Sequence, residues 1–126
     1  MSENLWGDLG DISIEKTPSM ILKEQANMLS NLTDGAIEGV VERGQYVATT
    51  SLYIQAPSIS NYKVKIVEIE YMGDSPYPLR ISDRHRATAT EISDEDKFIA
   101  SLEEILKSDA TQSAMAFMLA EVKSGV

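Results

Sequence analysis

Polar and apolar side chains alternate with a period of two along residues 45–56 (QYVATTSLYIQA) and again along residues 61–72 (NYKVKIVEIEYM). Pro57-Ser58-Ile59-Ser60 separates the two runs. Both are rich in Val, Ile, Thr and Tyr, which suit a pleated, half-buried surface, and the short Pro/Ser connection suits a hairpin. In the first run Ala48, Thr50, Leu52, Ile54 and Ala56 share one face. In the second, the apolar set starts on even positions (Tyr62, Val64, Ile66) and continues on odd ones (Val67, Ile69, Tyr71), leaving Glu68 and Glu70 on the other side. Side chains alternate strictly along a strand, so such a phase switch requires an extra residue. The pattern predicts a β-bulge near Ile66–Val67 that turns Val64, Ile66, Ile69 and Tyr71 toward one core.

On either side of the hairpin the period becomes helical. Thr17 is a natural N-cap and Pro18 a natural first helical residue. Ile21, Leu22, Ala26, Met28, Leu29 and Leu32 then mark one face of a helix that ends at Thr33-Asp34-Gly35. Gln25 falls inside that apolar face; a buried amide needs partners, so it is expected to bond a strand edge or a loop carbonyl rather than a ligand. Residues 36–42 (AIEGVVE) read as a first strand, with Gly39 marking a bulge or a close backbone approach. Further strands are predicted at residues 77–82 and 87–92. The connections are too short for parallel crossovers, so the sheet is an antiparallel meander. Ser93-Asp94-Glu95-Asp96 opens a second helix with Phe98, Ile99, Leu102, Ile105 and Leu106 on its core face, and Ser108-Asp109 breaks it and caps a third.

The third helix has a different pattern. Residues 114–120 (AMAFMLA) are apolar on every side. A helix lying on a sheet covers one side only, so Met115, Phe117, Met118 and Leu119 are candidates for an interface, most simply a two-fold dimer. The fold class that emerges is α+β: an N-terminal helix, a four- or five-stranded antiparallel meander and two C-terminal helices packed on one sheet face. Residues 17–126 form this single domain, and residues 1–16 a mobile acidic arm with a short edge strand at residues 12–15. Trp6, the sole tryptophan, is expected to fold back onto its own domain; the competing reading anchors it in a partner's groove, as tryptophan often does at interfaces.

Charge and composition narrow the function. The net charge is −9, and it is uneven: residues 1–42 carry −6, residues 43–90 carry +2 and residues 91–126 carry −5. Acidic ends disfavour nucleic acid as a partner. With no cysteine there is no thiol nucleophile, thiolate metal site or disulfide. The acidic start lacks a signal-peptide pattern and no apolar run reaches membrane-spanning length, so a cytoplasmic protein without membrane attachment is expected.

Little chemistry is visible. The single histidine, His85, lies between Arg84 and Arg86, where neighbouring positive charge disfavours its protonated form and no nucleophile-elbow serine accompanies it. Together with Arg80 these residues form the densest basic cluster of the chain, a candidate anion or acidic-partner site. Glu68 and Glu70 share a strand face with Lys63 and Lys65 nearby, a pattern that reads as a solvated stripe of ion pairs before it reads as catalytic carboxylates. Phosphate-loop and dinucleotide glycine patterns are missing. No catalytic residue, metal site or cofactor is therefore assigned.

Thr17-Pro18, Ile21-Leu22-Lys23-Glu24-Gln25-Ala26 and Leu29, with Ala56-Pro57, Asn61-Tyr62 and Tyr77-Pro78, resemble small uncharacterised bacterial proteins that carry a TPxxILKEQAxxL helix ahead of an antiparallel sheet. The resemblance spans roughly residues 17–81; it implies a bacterial origin and a helix-then-sheet order, and no activity. The function expected is a non-catalytic protein-binding module, of the adaptor, inhibitor or immunity type. The alternative is a small-molecule or nucleotide binder with an arginine-lined anion site.

Overall fold

A computed structural model describes residues 3–12, 15–45, 47–59, 62–84 and 88–126. Helix α1 (Pro18–Leu32) precedes strands β1 (Glu38–Arg43), β2 (Thr49–Gln55), β3 (Lys63–Tyr71), β4 (Leu79–Asp83) and β5 (Thr90–Ile92), and helices α2 (Glu95–Lys107) and α3 (Asp109–Ser124) follow. The strands form one antiparallel sheet in the order β1-β2-β3-β4-β5. This is the α+β meander the sequence predicts, with five strands. The predicted edge strand at residues 12–15 is not formed at Ile12 or Glu15, and Ser13 and Ile14 lie outside the described residues.

The helix ends follow from local chemistry. Thr17 accepts from the Met20 amide, Asp94 from Lys97 and Ser108 from Thr111, each satisfying a donor that the first turn cannot bond internally. At the far end of α1 the Thr33 hydroxyl accepts from the Ile37 amide at 3.1 Å and lies 2.9 Å from the Leu29 carbonyl. It ties the helix terminus to the start of β1 through a tight turn in which Asp34 and Gly35 have positive φ. Ser108 closes α2 while opening α3: its hydroxyl donates to Ile105 O at 2.7 Å. Thr111 Oγ1 donates to the same carbonyl, and Gln112 Nε2 to Leu106 O. Two of the carbonyls freed at the end of α2 are thereby paired from α3, which fixes the corner between the helices.

The bulge lies where the phase switch predicts it. Leu52 pairs with Val67 but Tyr53 pairs with Lys65, leaving Ile66 as the extra residue. Ile66 and Val67 are both buried, beside Ile69, with Val64 and Tyr71 half-buried. The core face is completed by Thr50, Leu52 and Ile54 of β2, Leu79 and Ile81 of β4 and Ile92 of β5. Thr50, the polar member of that face, lies 3.2 Å from Ser19 Oγ, which in turn is 2.8 Å from the Tyr71 hydroxyl. These three hydroxyls anchor the first turn of α1 to the sheet, and the Ser19 amide also donates to Tyr71 Oη.

All three helices lie over this one face. Helix α1 rests mainly on β1 and less on β2, while α2 rests on β3 and against α3. Ile21, Leu22 and Ala26 of α1, Phe98, Leu102 and Ile105 of α2, and Met118 of α3 are buried. Gly39 sets the distance of α1 from β1: a Cβ there would lie 2.6 Å from Ala26 Cα and 2.8 Å from Ala26 Cβ. The close approach suggested by a glycine inside a strand is thus present.

Gly39→Ala tests this contact. Alanine gains about 0.5–1 kcal/mol over glycine in strand propensity, but overpacking against a helix backbone costs about 1–3 kcal/mol. The variant is expected to unfold at lower urea than the parent, by about 1–2 kcal/mol. A neutral or stabilised variant would show that α1 can lift from the strand without loss.

Candidate functional site: an apolar cleft and an exposed arm

The outer face of the sheet is polar. Lys63 pairs with Glu42 at 2.6 Å, Lys65 with Glu68 at 2.9 Å and Arg80 with Glu70 at 3.1 Å. The Lys63 and Lys65 ammonium groups also stand 4.6 and 5.9 Å from the Tyr53 ring centroid. The Glu68 carboxylate beside Lys65 raises the lysine's pKa above its ordinary value. Glu68 and Glu70 are thus each paired with a cation, as in a solvated stripe. Arg80 belongs to this face, because it is opposite Glu70 in the ladder. Arg84 follows β4 as an exposed turn residue, while His85 and Arg86 lie outside the described residues.

The core face is less completely covered. Between α1 and α2 a cleft of about 760 Å³ opens down to Leu52, Ile54 and Ile66 on the sheet. Leu29 and Leu32 form one wall, Ile99, Leu102 and Leu106 the other, and Met115 of α3 closes one end. Charges edge its mouth in pairs: Lys16 bonds Glu24 at 2.9 Å and Lys107 bonds Glu103 at 2.7 Å. The Lys107 hydrogen bond holds the Glu103 carboxyl below its ordinary pKa. Gln25 lines the cleft, and its side-chain amide makes no hydrogen bond among the described residues. The strand-edge or loop partner expected for it is not there. Arg80 and Arg84 do not line this cleft, and Arg80 is on the opposite side of the sheet.

Periodicity assigned Leu32 and Ile99 to the core, but they are 77% and 45% exposed. The reason is the position of α1. Its close contact with Gly39 seats it over the edge strand, so its far flank and the facing flank of α2 are left apart. The side chains that a helical stripe marks as core but the fold leaves wet are therefore largely those that line the cleft. Met28, 49% exposed, is outside it.

The arm supplies a second apolar surface. Leu5, Trp6, Leu9 and Ile12 are 90%, 83%, 56% and 61% exposed, so Trp6 is not tucked onto its own domain. The arm is organised by its own hydrogen bonds instead. Asn4 Nδ2 donates to Gly7 O, Asn4 Oδ1 accepts from the Trp6 amide, and Asp8 caps a short 3-10 turn over Leu9–Asp11. These bonds bend the backbone around Gly7, at φ +80°, and leave the large side chains facing water.

On α3 the interface candidates divide. Met118 is fully buried, Met115 and Leu119 are half-buried, and Phe117 remains 55% exposed. The Phe117 ring is 6.2 Å from that of Tyr62. One side of the helix is thus covered by the domain and another is not, as the all-round apolar pattern required.

Among the described residues no group of histidine, aspartate and glutamate is placed to hold a metal ion, and no helix is long and apolar enough to cross a membrane. Comparison with protein-family models, with curated proteins and with solved structures finds no match.

One buried polar group stands apart from both surfaces. The Tyr77 hydroxyl has no hydrogen-bond partner among the described residues, and its ring packs edge-on against Phe98 at 6.5 Å. Burial, aided by the nearby carboxylates of Glu95 and Asp94, pushes its pKa up to about 12 from 10.0. The unfolded phenol ionises first as pH rises, so this group makes the fold lose stability between those two values. Tyr77→Phe is expected to match or exceed the parent in melting temperature at neutral pH, because an unpaired buried hydroxyl is removed. It should also show a shallower stability loss above pH 10. A variant clearly less stable at neutral pH would show that the hydroxyl is bonded in solution.

Proposed function

We propose that this protein is a small, non-catalytic, cytoplasmic protein-binding module, acting as an adaptor, inhibitor or immunity-type factor. The arm carries the reading: four large apolar side chains are held outward on a segment that its own hydrogen bonds shape. Soluble proteins rarely leave a cluster of such groups wet without use, and tryptophan is a common anchor in interface pockets. The cysteine-free composition suits a reducing compartment. On the outer sheet face the carboxylates are neutralised by lysine and arginine, which supports binding over catalysis.

A second reading, a small-molecule binder, draws on the cleft, whose volume of about 760 Å³ lies in the usual range for ligand sites. Arg80 and Arg84 do not contribute to that cleft, so any anion held by the arginines would bind elsewhere.

The experiment is affinity capture from the native cell extract, comparing the parent with a Trp6→Ala/Leu9→Ala variant. Both positions are exposed, so the variant should melt as the parent does. A protein retained by the parent and lost by about tenfold or more in the variant fits two anchors of this size. Equal capture by both would remove the arm from the binding surface.

A further inference from the structure

We propose that the arm of one chain docks in the α1–α2 cleft of a second copy, and reciprocally, so that two chains close a two-fold dimer by exchanging arms. This rests on the reading of the arm as a docking segment and names its partner.

The two surfaces answer each other. One is concave, apolar and open, floored by Leu52, Ile54 and Ile66. The other is an exposed apolar segment, with Leu5, Trp6, Leu9 and Ile12 within eight residues. In a single chain both remain wet, although the arm joins the domain at Lys16, on the rim of the cleft. The four steps from Ile12 to Lys16 allow a reach of at most about 14 Å from that rim. A rotation axis beside that rim sets each arm's root against the partner's cleft and leaves no open end for further copies. Gln25, with its amide unengaged, is placed to bond the backbone of the incoming arm.

The area is sufficient. Trp6 alone offers on the order of 200 Å², and the four side chains together roughly 600 Å². Two arms then bury roughly 1,200 Å² of their own surface, and with the cleft surface they cover the total falls within the range of a specific, stable interface. Charge works the other way. The arm carries Glu3, Asp8, Asp11 and Glu15, while Glu24, Glu95 and Glu103 outnumber Lys16 and Lys107 around the cleft. The exposed Lys16–Glu24 and Lys107–Glu103 pairs contribute little in place, so either lysine can turn to an arm carboxylate at small cost. What remains is net repulsion between acidic surfaces. Association driven by apolar burial against like charge strengthens as salt is raised, opposite to an ion-pair interface.

Because Trp6 is the only tryptophan, the fluorescence of the unmodified chain reports the arm alone. The emission is expected to move to shorter wavelength as the chain is concentrated through the micromolar range, and more readily at higher salt. Light scattering coupled to gel filtration should give twice the chain mass where the emission has shifted. Ile99→Glu and Leu32→Glu place a charge on each wall at exposed positions. Both should keep the circular dichroism of the parent, weaken the dimer by about tenfold or more and return Trp6 to the emission of a water-exposed indole. A monomer with water-exposed emission at every concentration overturns the exchange and leaves the arm available to another protein. A monomer with shifted emission at every concentration overturns both the exchange and the docking reading, since the arm then lies on its own domain. A dimer unaffected by Ile99→Glu and Leu32→Glu places the interface elsewhere and overturns the exchange.

Discussion

Much of this structure depends on how closely α1 approaches β1. At Gly39 there is no room for a Cβ, because Ala26 of the helix occupies that space. Two small residues facing each other bring the helix down onto the edge strand, and the Ser19–Thr50–Tyr71 hydroxyls tie its first turn to β2 and β3. Thr33 fixes its last turn to the start of β1. The helix is thus fastened at its start to β2 and β3 and at its end to the entry of β1, which fixes how it lies across the sheet. The second helix is seated over β3 by Phe98, Leu102 and Ile105, and the third is tied to it at Ser108. The cleft is the space between two helical bodies, each anchored to a different part of one sheet. It is a consequence of core packing, and a close-packed core resists the shifts that would close it.

Local structure was legible in the sequence wherever a short-range rule decides it. The phase switch between Ile66 and Val67 located the bulge because strand alternation allows no other way to bury both residues. Thr17, Asp94 and Ser108 announced their helices because the first turn of any helix needs acceptors. Gly39 announced a close approach because a strand otherwise gains from a side chain. These are statements about neighbours in the chain, or about one residue and its own backbone. The solvated stripe of Lys63, Lys65 and Glu68 followed similarly, from the outward side of a strand, whereas Arg80, read as part of an anion site, pairs with Glu70 instead.

The candidate site was not legible in the same way. Helical periodicity says which flank of α1 or α2 is apolar; it does not say how wide that flank is compared with what the other helix covers. Leu32 and Ile99 therefore passed for core, as did Gln25 for a bonded interior amide, until the separation of the helices was known. An excess of apolar stripe over coverable surface is a signal the sequence carries only in combination: α1 has six apolar positions on its face, more than a contact with an edge strand can hide. Trp6 failed for a related reason. A large aromatic is usually buried, but the arm's Asn4 and Asp8 bonds bend it around Gly7 and satisfy its backbone locally, removing one incentive to lie against the domain.

The third helix shows how the same excess is distributed. Its apolar residues point in every direction, and the fold buries the Met118 side completely because that side meets the core. Met115, on a neighbouring side, turns toward the cleft, and Phe117, on another, is partly shielded by the Tyr62 ring. The apolar groups left wet thus fall in two places, the cleft end and the flank near Tyr62. An occupant of the cleft would cover Met115 without touching Phe117. Binding at the flank would do the reverse, because the α3 backbone separates the two. The all-round apolar pattern is accordingly the sum of three unlike environments: a core contact, a cleft wall and a half-shielded surface.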